Sequence, residues 1–268
     1  MSALLAEMRD ALDQAGSDAS EDRPKLHVDG ARVDPAGDDP IHGKAARLCS
    51  VNAKTFGPIA KRLDVTHLSI VEMRGGELGE IHAPRLKVLE VSWATKLADI
   101  SEIARFSKLE GLFLSDTPKV YDLSPFSKLA NLRVLVFEGG MWNKNKAHSL
   151  APLNRLAKLE AVQLLNLGVE EDGLRPLAAC KQLKWLSLSN QFETSDYAYL
   201  SVHLPQTECA QFAASQSTNI GEAYGDIMVT GKRKPFLKSR DAKDQARLAK
   251  YEAEFEKLKD KFRAEIGH

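Results

Sequence analysis

The feature of this chain that most constrains its fold is an internal repeat. Two copies lie back to back over residues 86–132, LKVLEVSWATKLADISEIARFSK and LEGLFLSDTPKVYDLSPFSKLAN. Further copies begin near residues 65, 132, 159, 183 and, in weaker form, 207, so successive starts are 21 to 27 residues apart. A self-similar period of this length is typical of a solenoid, in which each copy buries its apolar face against the next.

Each copy begins L-x-x-L-x-L, with the last two apolar residues two apart, as on one face of a strand. Apolar residues then recur every third position, which suits a 3₁₀ turn or a short helix. This pattern resembles a leucine-rich repeat, and Asp122-Leu123-Ser124-Pro125 resembles an element of uncharacterised bacterial members of that family. The resemblance implies an α/β solenoid with a parallel sheet on the concave side, 3₁₀ or short helices on the convex side, and helical caps at both ends.

The ninth position of each copy departs from the family pattern. The family usually carries Asn there, whereas this chain has other residues: Ala94, Thr117, Gly140, Leu167 and Gln191. The copy that starts at Leu132 is also the longest, with extra residues around GGMWNKNK at 139–146. Insertions in solenoids form loops on one face, so we considered Trp142 either as a ligand anchor or as a side chain that folds back on the adjacent repeat.

The pattern divides the chain into four segments. Residues 1–40 form an acidic N-terminal tail that is partly helical, and residues 41–64 an N-terminal cap. Residues 65–212 form the repeat array, and residues 213–268 a C-terminal cap with a basic turn and an amphipathic helix. Leu4, Leu5, Met8 and Leu12 share one helical face in the tail, which predicts either a solvated tail or a helix that docks as part of the N-terminal cap.

Composition excludes several classes of protein. The 37 Lys and Arg residues balance the 37 Asp and Glu residues, which gives no bias towards nucleic acid or membrane. Three scattered cysteines fit reduced thiols, with Cys180 as a small buried side chain. Neither an apolar stretch long enough to span a membrane nor a signal peptide is evident, so the expected location is cytoplasmic.

No catalytic or cofactor motif was found. The chain lacks GxSxG, HExxH, CxxC and an EF-hand loop, and its seven histidines are dispersed. We therefore predict a protein that is not an enzyme and that uses neither a metal nor another cofactor.

What remains is the surface of the predicted sheet that faces away from the core. Apolar side chains recur there without a core to enter, and a contiguous apolar patch of that kind marks an interaction site. Acidic side chains were expected to form its rim. The predicted protein-binding residues are Glu90, Trp93, Phe113, Val136, Glu138, Trp142, Gln163, Leu165, Trp185 and Asn190. The competing interpretation is that a cap, or the tail 1–40, covers this patch within the same molecule.

The sequence thus predicts a monomeric interaction module that binds an unidentified protein partner on its concave face. A scaffold, a regulator, an effector and a toxin-immunity protein remain open. An alternative is a homo-oligomer that assembles through the helix over 240–266. A nucleic-acid-binding module that uses the basic turn 231–240 is disfavoured, because no aromatic residues are interleaved with the charges.

Overall fold

The computed structural model describes residues 2–16, 24–220 and 224–266. Its α-helices are short except for the last. They are α1 (Ala3–Asp13), α2 (Ala53–Ala60), α3 (Thr194–His203) and α4 (Ala242–Ile266). The 3₁₀ helices span Ser101–Arg105, Ser124–Lys128, Ala151–Arg155, Arg175–Ala179 and Ala210–Phe212.

The strands recur once per repeat, with short additional strands at the ends. They are β1 (Lys25–Val28), β2 (Ala31–Val33), β3 (Ile41–His42), β4 (Ala45–Cys49), β5 (Leu63–Asp64), β6 (His67–Val71), β7 (Val88–Ser92), β8 (Gly111–Ser115), β9 (Val134–Glu138), β10 (Asn145–Ala147), β11 (Ala161–Leu165), β12 (Leu167–Val169), β13 (Trp185–Leu188), β14 (Ser215–Ser217), β15 (Ile227–Val229) and β16 (Phe236–Leu237). Within the described ranges, the largest sheet has the order β13-β11-β9-β8-β7-β6-β4-β1-β2.

The register of this sheet confirms the repeat. The middle Leu of each copy pairs with the equivalent residue of the next, in one continuous row. The row runs Ala46, Leu68, Leu89, Leu112, Leu135, Val162 and Leu186. Each of these side chains is at most 2 % exposed. The 3₁₀ helices close the other side of the core, where Ile103, Phe126, Leu153 and Leu177 are fully buried. The architecture is therefore a parallel solenoid with one strand per copy.

The N-terminal end contains strands as well as the expected helix. The first parallel strand of the large sheet is β4, which lies inside the segment predicted as a cap. Strands β1 and β2 continue the sheet in antiparallel fashion, and α2 packs beside them through Phe56 and Ile59. An antiparallel hairpin ends the parallel stack and leaves β2, rather than a repeat strand, at the sheet edge.

The insertion after β9 leaves the stack undisturbed. In the following copy, a single residue, Asn166, separates β11 from β12. In the copy with the insertion, residues 139–144 separate the equivalent strands, β9 and β10. Asn145 resumes the stack: it is fully buried, pairs with Leu167, and donates to the Glu138 carbonyl at 2.9 Å and to Thr117 Oγ1 at 3.3 Å. The ninth position of this copy, which the sequence pattern assigned to Gly140, is thus occupied by Asn145. The extra residues form a loop before Asn145.

The C-terminal end is covered by helices. The apolar stripe of α4 turns towards α3, and its Phe255 and Phe262 join the main core. Phe262 meets the Tyr199 ring edge-on, with centroids 5.2 Å apart, and the Arg175 guanidinium lies over the same Tyr199 ring. The central part of the stripe that could have driven a coiled coil is therefore used within the molecule, while Ile266 at its end is 55 % exposed.

A ladder of alternating charge runs along the residues that precede the strands. Lys87 pairs with Glu110 at 2.9 Å. Farther along, Glu160 accepts from both Arg133 and Lys184 at 2.6 Å. These pairs hold the pKa of Glu160 below its usual value, chiefly through the hydrogen bond from Lys184 and then that from Arg133.

Candidate interaction surfaces

The concave face, meaning the sheet face opposite the main core, is covered by helix α1. Leu5, Met8 and Leu12 of α1 pack on side chains of the repeat strands in an apolar cluster separate from the main core. The strand side chains in this cluster are Val88, Phe113, Val134, Val136 and Ala161, each at most 2 % exposed. Phe113 and Val136, predicted as exposed binding residues, therefore lie beneath the chain's own helix. This is the arrangement that the competing interpretation of the sequence described.

The polar side chains predicted on the same face are satisfied within the molecule. Glu90 accepts from Ser69, and Glu138 accepts from Ser115 at 2.9 Å and from Gln163 at 2.6 Å. These bonds join neighbouring strands across the face. Because both carboxylates already have partners, they strengthen the sheet and offer little to a second molecule.

The predicted residues near the C-terminal end of the face, Leu165, Trp185 and Asn190, differ in their surroundings. Leu165 and Trp185 are half-buried, and Trp185 packs against the α1 cluster. Asn190 donates to the Val229 carbonyl at 2.8 Å and accepts from the Gly231 amide at 2.6 Å. Asn190 thus fastens the C-terminal hairpin to the last repeat.

A second surface lies where the strands end, and Trp93 marks it. Trp93 directly follows β7 and is 58 % exposed. Its backbone is left-handed, with φ of 53°, as are those of Glu72 and Asp116 at the equivalent places after β6 and β8. Asp tolerates this conformation, but for a bulky residue such as Trp it is an outlier. The fold imposes the left-handed conformation at this position. In this copy the residue that adopts it is Trp93, a solvent-exposed aromatic residue for which the conformation is unfavourable.

The inserted loop, residues 140–144, is clamped at its base beside this position. Asn143 donates to the Asp116 carboxylate at 3.1 Å, and Asn166 donates to the Gly140 carbonyl at 2.9 Å. Gly139 is required there, because a Cβ would lie 2.6 Å from the carbonyl oxygens of Asn143 and Asn166. The base of the loop is therefore held by both neighbouring copies.

The tip of the clamped loop presents two apolar side chains to solvent. Met141 is 86 % exposed and Trp142 is 89 % exposed. Trp142 does not fold back on the adjacent repeat, which was one of the two predictions from the sequence. We call Trp93, Met141 and Trp142 the aromatic edge. Asp116 connects Trp93 with the loop. It follows β8, the strand next to β7, and its carboxylate accepts the hydrogen bond from Asn143 of the loop.

The sequence predicted Trp93 and Trp142 as binding residues, but it did not show that they are exposed while most of the other predicted residues are buried or half-buried. Neither the left-handed backbone at Trp93 nor the role of Met141 follows from a period of apolar positions. The phase of Ala147, Leu150 and Leu153 does show where the insertion ends, and this signal could have located the loop tip.

Cys180 and Cys209 offer no reactive thiolate. Burial raises the pKa of Cys180 to about 11 and that of Cys209 to about 12, so both thiols stay protonated near neutral pH. In the described residues, no group of three His, Cys, Asp or Glu side chains is arranged to hold a metal ion. Among the helices in those same ranges, none combines the length and apolar character needed to cross a bilayer.

Comparison with known proteins found similar proteins among solved structures only. No family model matches the chain, and no curated protein matches it. Internalin C2 from Listeria monocytogenes is 20% identical, with 76% of this chain and 81% of that chain covered and a TM-score of 0.46. The internalin inlF from the same organism is 16% identical, with 62% and 51% covered and a TM-score of 0.41.

A plant peptide hormone receptor, RGFR1 in complex with RGF2, is 18% identical, with 54% of this chain and 24% of that chain covered and a TM-score of 0.39. The chain thus spans about half of inlF and about a quarter of the receptor. The stronger ground is the molecule itself, in which six successive copies place L-x-x-L-x-L-type strands in one parallel register, with 3₁₀ helices opposite in four of them. The described part of the chain therefore has the fold of a leucine-rich repeat solenoid.

Proposed function

We propose that this chain is a non-catalytic protein-interaction module whose partner docks on the aromatic edge. The single observation that carries the proposal is a loop clamped at its base with Met141 and Trp142 almost fully exposed at its tip. A pre-ordered apolar side chain loses little conformational freedom when it enters a partner's pocket. Trp is also enriched among the residues that dominate binding energies.

Trp93 supports the same conclusion independently. A left-handed Trp costs backbone free energy, and its exposed ring recovers little of that cost by packing. Strain of this kind concentrates at functional sites, because nothing in folding alone favours it. Two exposed aromatic residues at the same edge, on copies separated by one repeat, are more informative than one, since isolated surface apolar residues are ordinary.

The concave-face residues take a secondary part in this proposal. While α1 is seated, a partner can touch Leu165 and Trp185, which are half-buried, but it cannot reach Phe113 or Val136. The role as scaffold, regulator, effector or immunity protein is set by the partner. The partner's chemistry is a protein surface with an apolar pocket wide enough for an indole ring.

The test is quantitative capture of proteins from the native cell by the full chain and by two variants. Trp142→Ala removes the tip ring, and Trp93→Asn removes the second ring while it relieves the backbone. Tyr224→Ala is the matched control, because Tyr224 is also an exposed aromatic residue, at 73 %, but lies in the C-terminal segment.

We expect a protein that the wild type and the control retain and that both edge variants lose. Dissociation constants measured with that purified protein should then rise at least about tenfold for each edge variant, which corresponds to about 1.4 kcal/mol. Equal retention by all four proteins would refute the aromatic edge as the docking site.

A further inference from the structure

A second surface, separate from the aromatic edge, is the groove that α1 occupies. We propose that the concave face is a receptor groove for an acidic amphipathic helix, and that α1 is an internal ligand which a partner helix displaces. The face would then have two states, one closed by the chain's own N-terminus and one open to a helix of matching pattern.

The floor of the groove contains a notch at Gly111, and the notch accommodates one side chain of α1, that of Met8. The first residues of the repeat strands face α1, and β8 carries Gly111 there whereas β7 and β9 carry Val88 and Val134. A Cβ on Gly111 would lie 2.6 Å from Met8 Sδ. The missing side chain forms a notch that receives Met8. The backbone of Gly111 is ordinary extended strand, so conformational freedom does not explain the glycine.

The helix crosses the strands and is anchored by few polar contacts. At its C-terminal end, Arg47 donates to the Gly16 carbonyl at 2.9 Å and to Asp13 at 3.1 Å. Near its middle, Arg9 approaches Glu138 at 3.9 Å and lies over the Phe113 ring. Most of the contact is therefore apolar, and it forms a cluster distinct from the main core. Undocking α1 exposes that cluster and leaves the core of the solenoid closed.

Helix α1 has little intrinsic stability. It is 11 residues long, its N-cap Ser2 makes no side-chain cap bond, and it has neither an acidic residue in the first turn nor a basic one in the last. Isolated helices of this length are marginal in water. Its helical state depends on the groove, so docking and folding of α1 are coupled, and a better-capped helix of the same pattern can compete for the site.

The charge around the groove defines the kind of partner. An open groove of about 740 Å³ runs beside α1, lined by Lys44, Lys87 and Arg133 on the sheet side. Glu7 and Asp10 of α1 line it from the helix side; Glu110 is also present and pairs with Lys87. The complementary ligand is a helix with Leu or Met at the spacing of residues 5, 8 and 12 and with acidic residues on the flank that faces the basic side chains.

The experiment uses the full chain and a fluorescein-labelled peptide with the sequence of residues 2–16, followed by fluorescence anisotropy. Leu5→Asp removes a fully buried apolar contact and releases the internal helix. Ile266→Asp is the control, because it makes the same kind of aliphatic-to-Asp change at a residue of α4 that is 55 % exposed and lies outside the groove. We expect Leu5→Asp to bind the peptide at least about tenfold more tightly than the wild type and the control, since self-occupancy lowers the fraction of open groove.

Two further probes identify the site and the ligand chemistry. Adding Gly111→Val to Leu5→Asp fills the notch with a good strand former, and we expect it to abolish peptide binding. A peptide in which the Glu and Asp residues are replaced by Gln should bind more weakly and with less dependence on salt. Equal binding by wild type and a folded Leu5→Asp variant, no binding by that variant, or binding that survives the filled notch would each overturn the proposal.

Hydrogen exchange of the wild type decides the matter if Leu5→Asp does not fold. Amides of α1 should exchange faster than those of Leu89 and Leu112 in the sheet, because the helix opens by itself. Exchange of α1 only together with these sheet amides, through global unfolding, would show that the helix is a permanent part of the fold.

Discussion

The concave face and the aromatic edge both arise from the same repeat, but the apolar side chains of the first are buried and those of the second are exposed. The concave face gathers apolar side chains from four strands, and a segment of the same chain buries them. The aromatic edge gathers two exposed indole rings and a methionine, and the described part of the chain leaves them in solvent. The repeat thus creates apolar surfaces, while segments outside the repeat determine which of them stay accessible. The following changes test how far the two surfaces differ.

The largest effect is expected in the main core, which serves as the reference for both surfaces. Leu112→Ala should lower the free energy of unfolding by about 2–5 kcal/mol, because it opens a cavity in the fully buried leucine row. Denaturant unfolding followed by circular dichroism measures the loss. A change below about 0.5 kcal/mol would contradict the stacking register.

The base of the inserted loop should be nearly as sensitive, although its tip is free. Asn145→Ala leaves the Glu138 carbonyl and the Thr117 hydroxyl without this buried donor. We expect a loss of about 1–3 kcal/mol in the same unfolding measurement. Asn143→Ala, which removes one bond at the loop surface, is the control and should cost less.

The contact under α1 should cost less than the main core. Leu12→Ala removes a side chain that is 2 % exposed, but its effect is limited to the free energy with which α1 docks. We expect about 1–2 kcal/mol, below the range for Leu112→Ala. A loss equal to that of Leu112→Ala would show that the concave cluster and the main core unfold as one unit.

At the aromatic edge the expected sign is reversed. Trp93→Asn should raise the free energy of unfolding by up to about 1 kcal/mol, because Asn tolerates the left-handed backbone that Trp adopts with strain. Thermal and denaturant unfolding of the variant beside Trp93→Ala, which lacks the local preference of Asn, gives the comparison. Destabilisation by Trp93→Asn would mean that the ring contributes to packing.

The smallest effect concerns Glu160 of the charge ladder. Glu160→Gln should cost at most about 1 kcal/mol near neutral pH, since its partners Arg133 and Lys184 are exposed. The folded-state pKa of Glu160 is lowered, so its contribution is present above the unfolded pKa. The difference from wild type should shrink as the pH falls below 4.5 and vanish once the folded pKa is passed. A difference that persists in acid would point to a steric rather than an ionic cause.

The sequence was a good guide to the stack and a poor guide to its surfaces. The row through Leu89 and Leu112 follows directly from the period, because only stacked copies can bury those side chains. The burial of Phe113 under α1 does not follow, since two segments can match one patch equally well in pattern and only tertiary contacts choose between them. Strand β4 was missed because its apolar residues include two alanines, which carry a weak signal. Trp142 was singled out because it lies in the insertion of the longest copy, but its exposure depends on the clamp at Gly139, which no period encodes.

The return of Asn145 to the buried stack separates the length of the preceding loop from the integrity of the solenoid. Residues 140–144 can be shortened, lengthened or replaced while the rungs on either side keep their spacing. Selection can therefore alter what this loop recognises in a single copy, independently of the others, and foreign peptides grafted between Gly139 and Asn145 should be displayed on a frame that does not need to be redesigned.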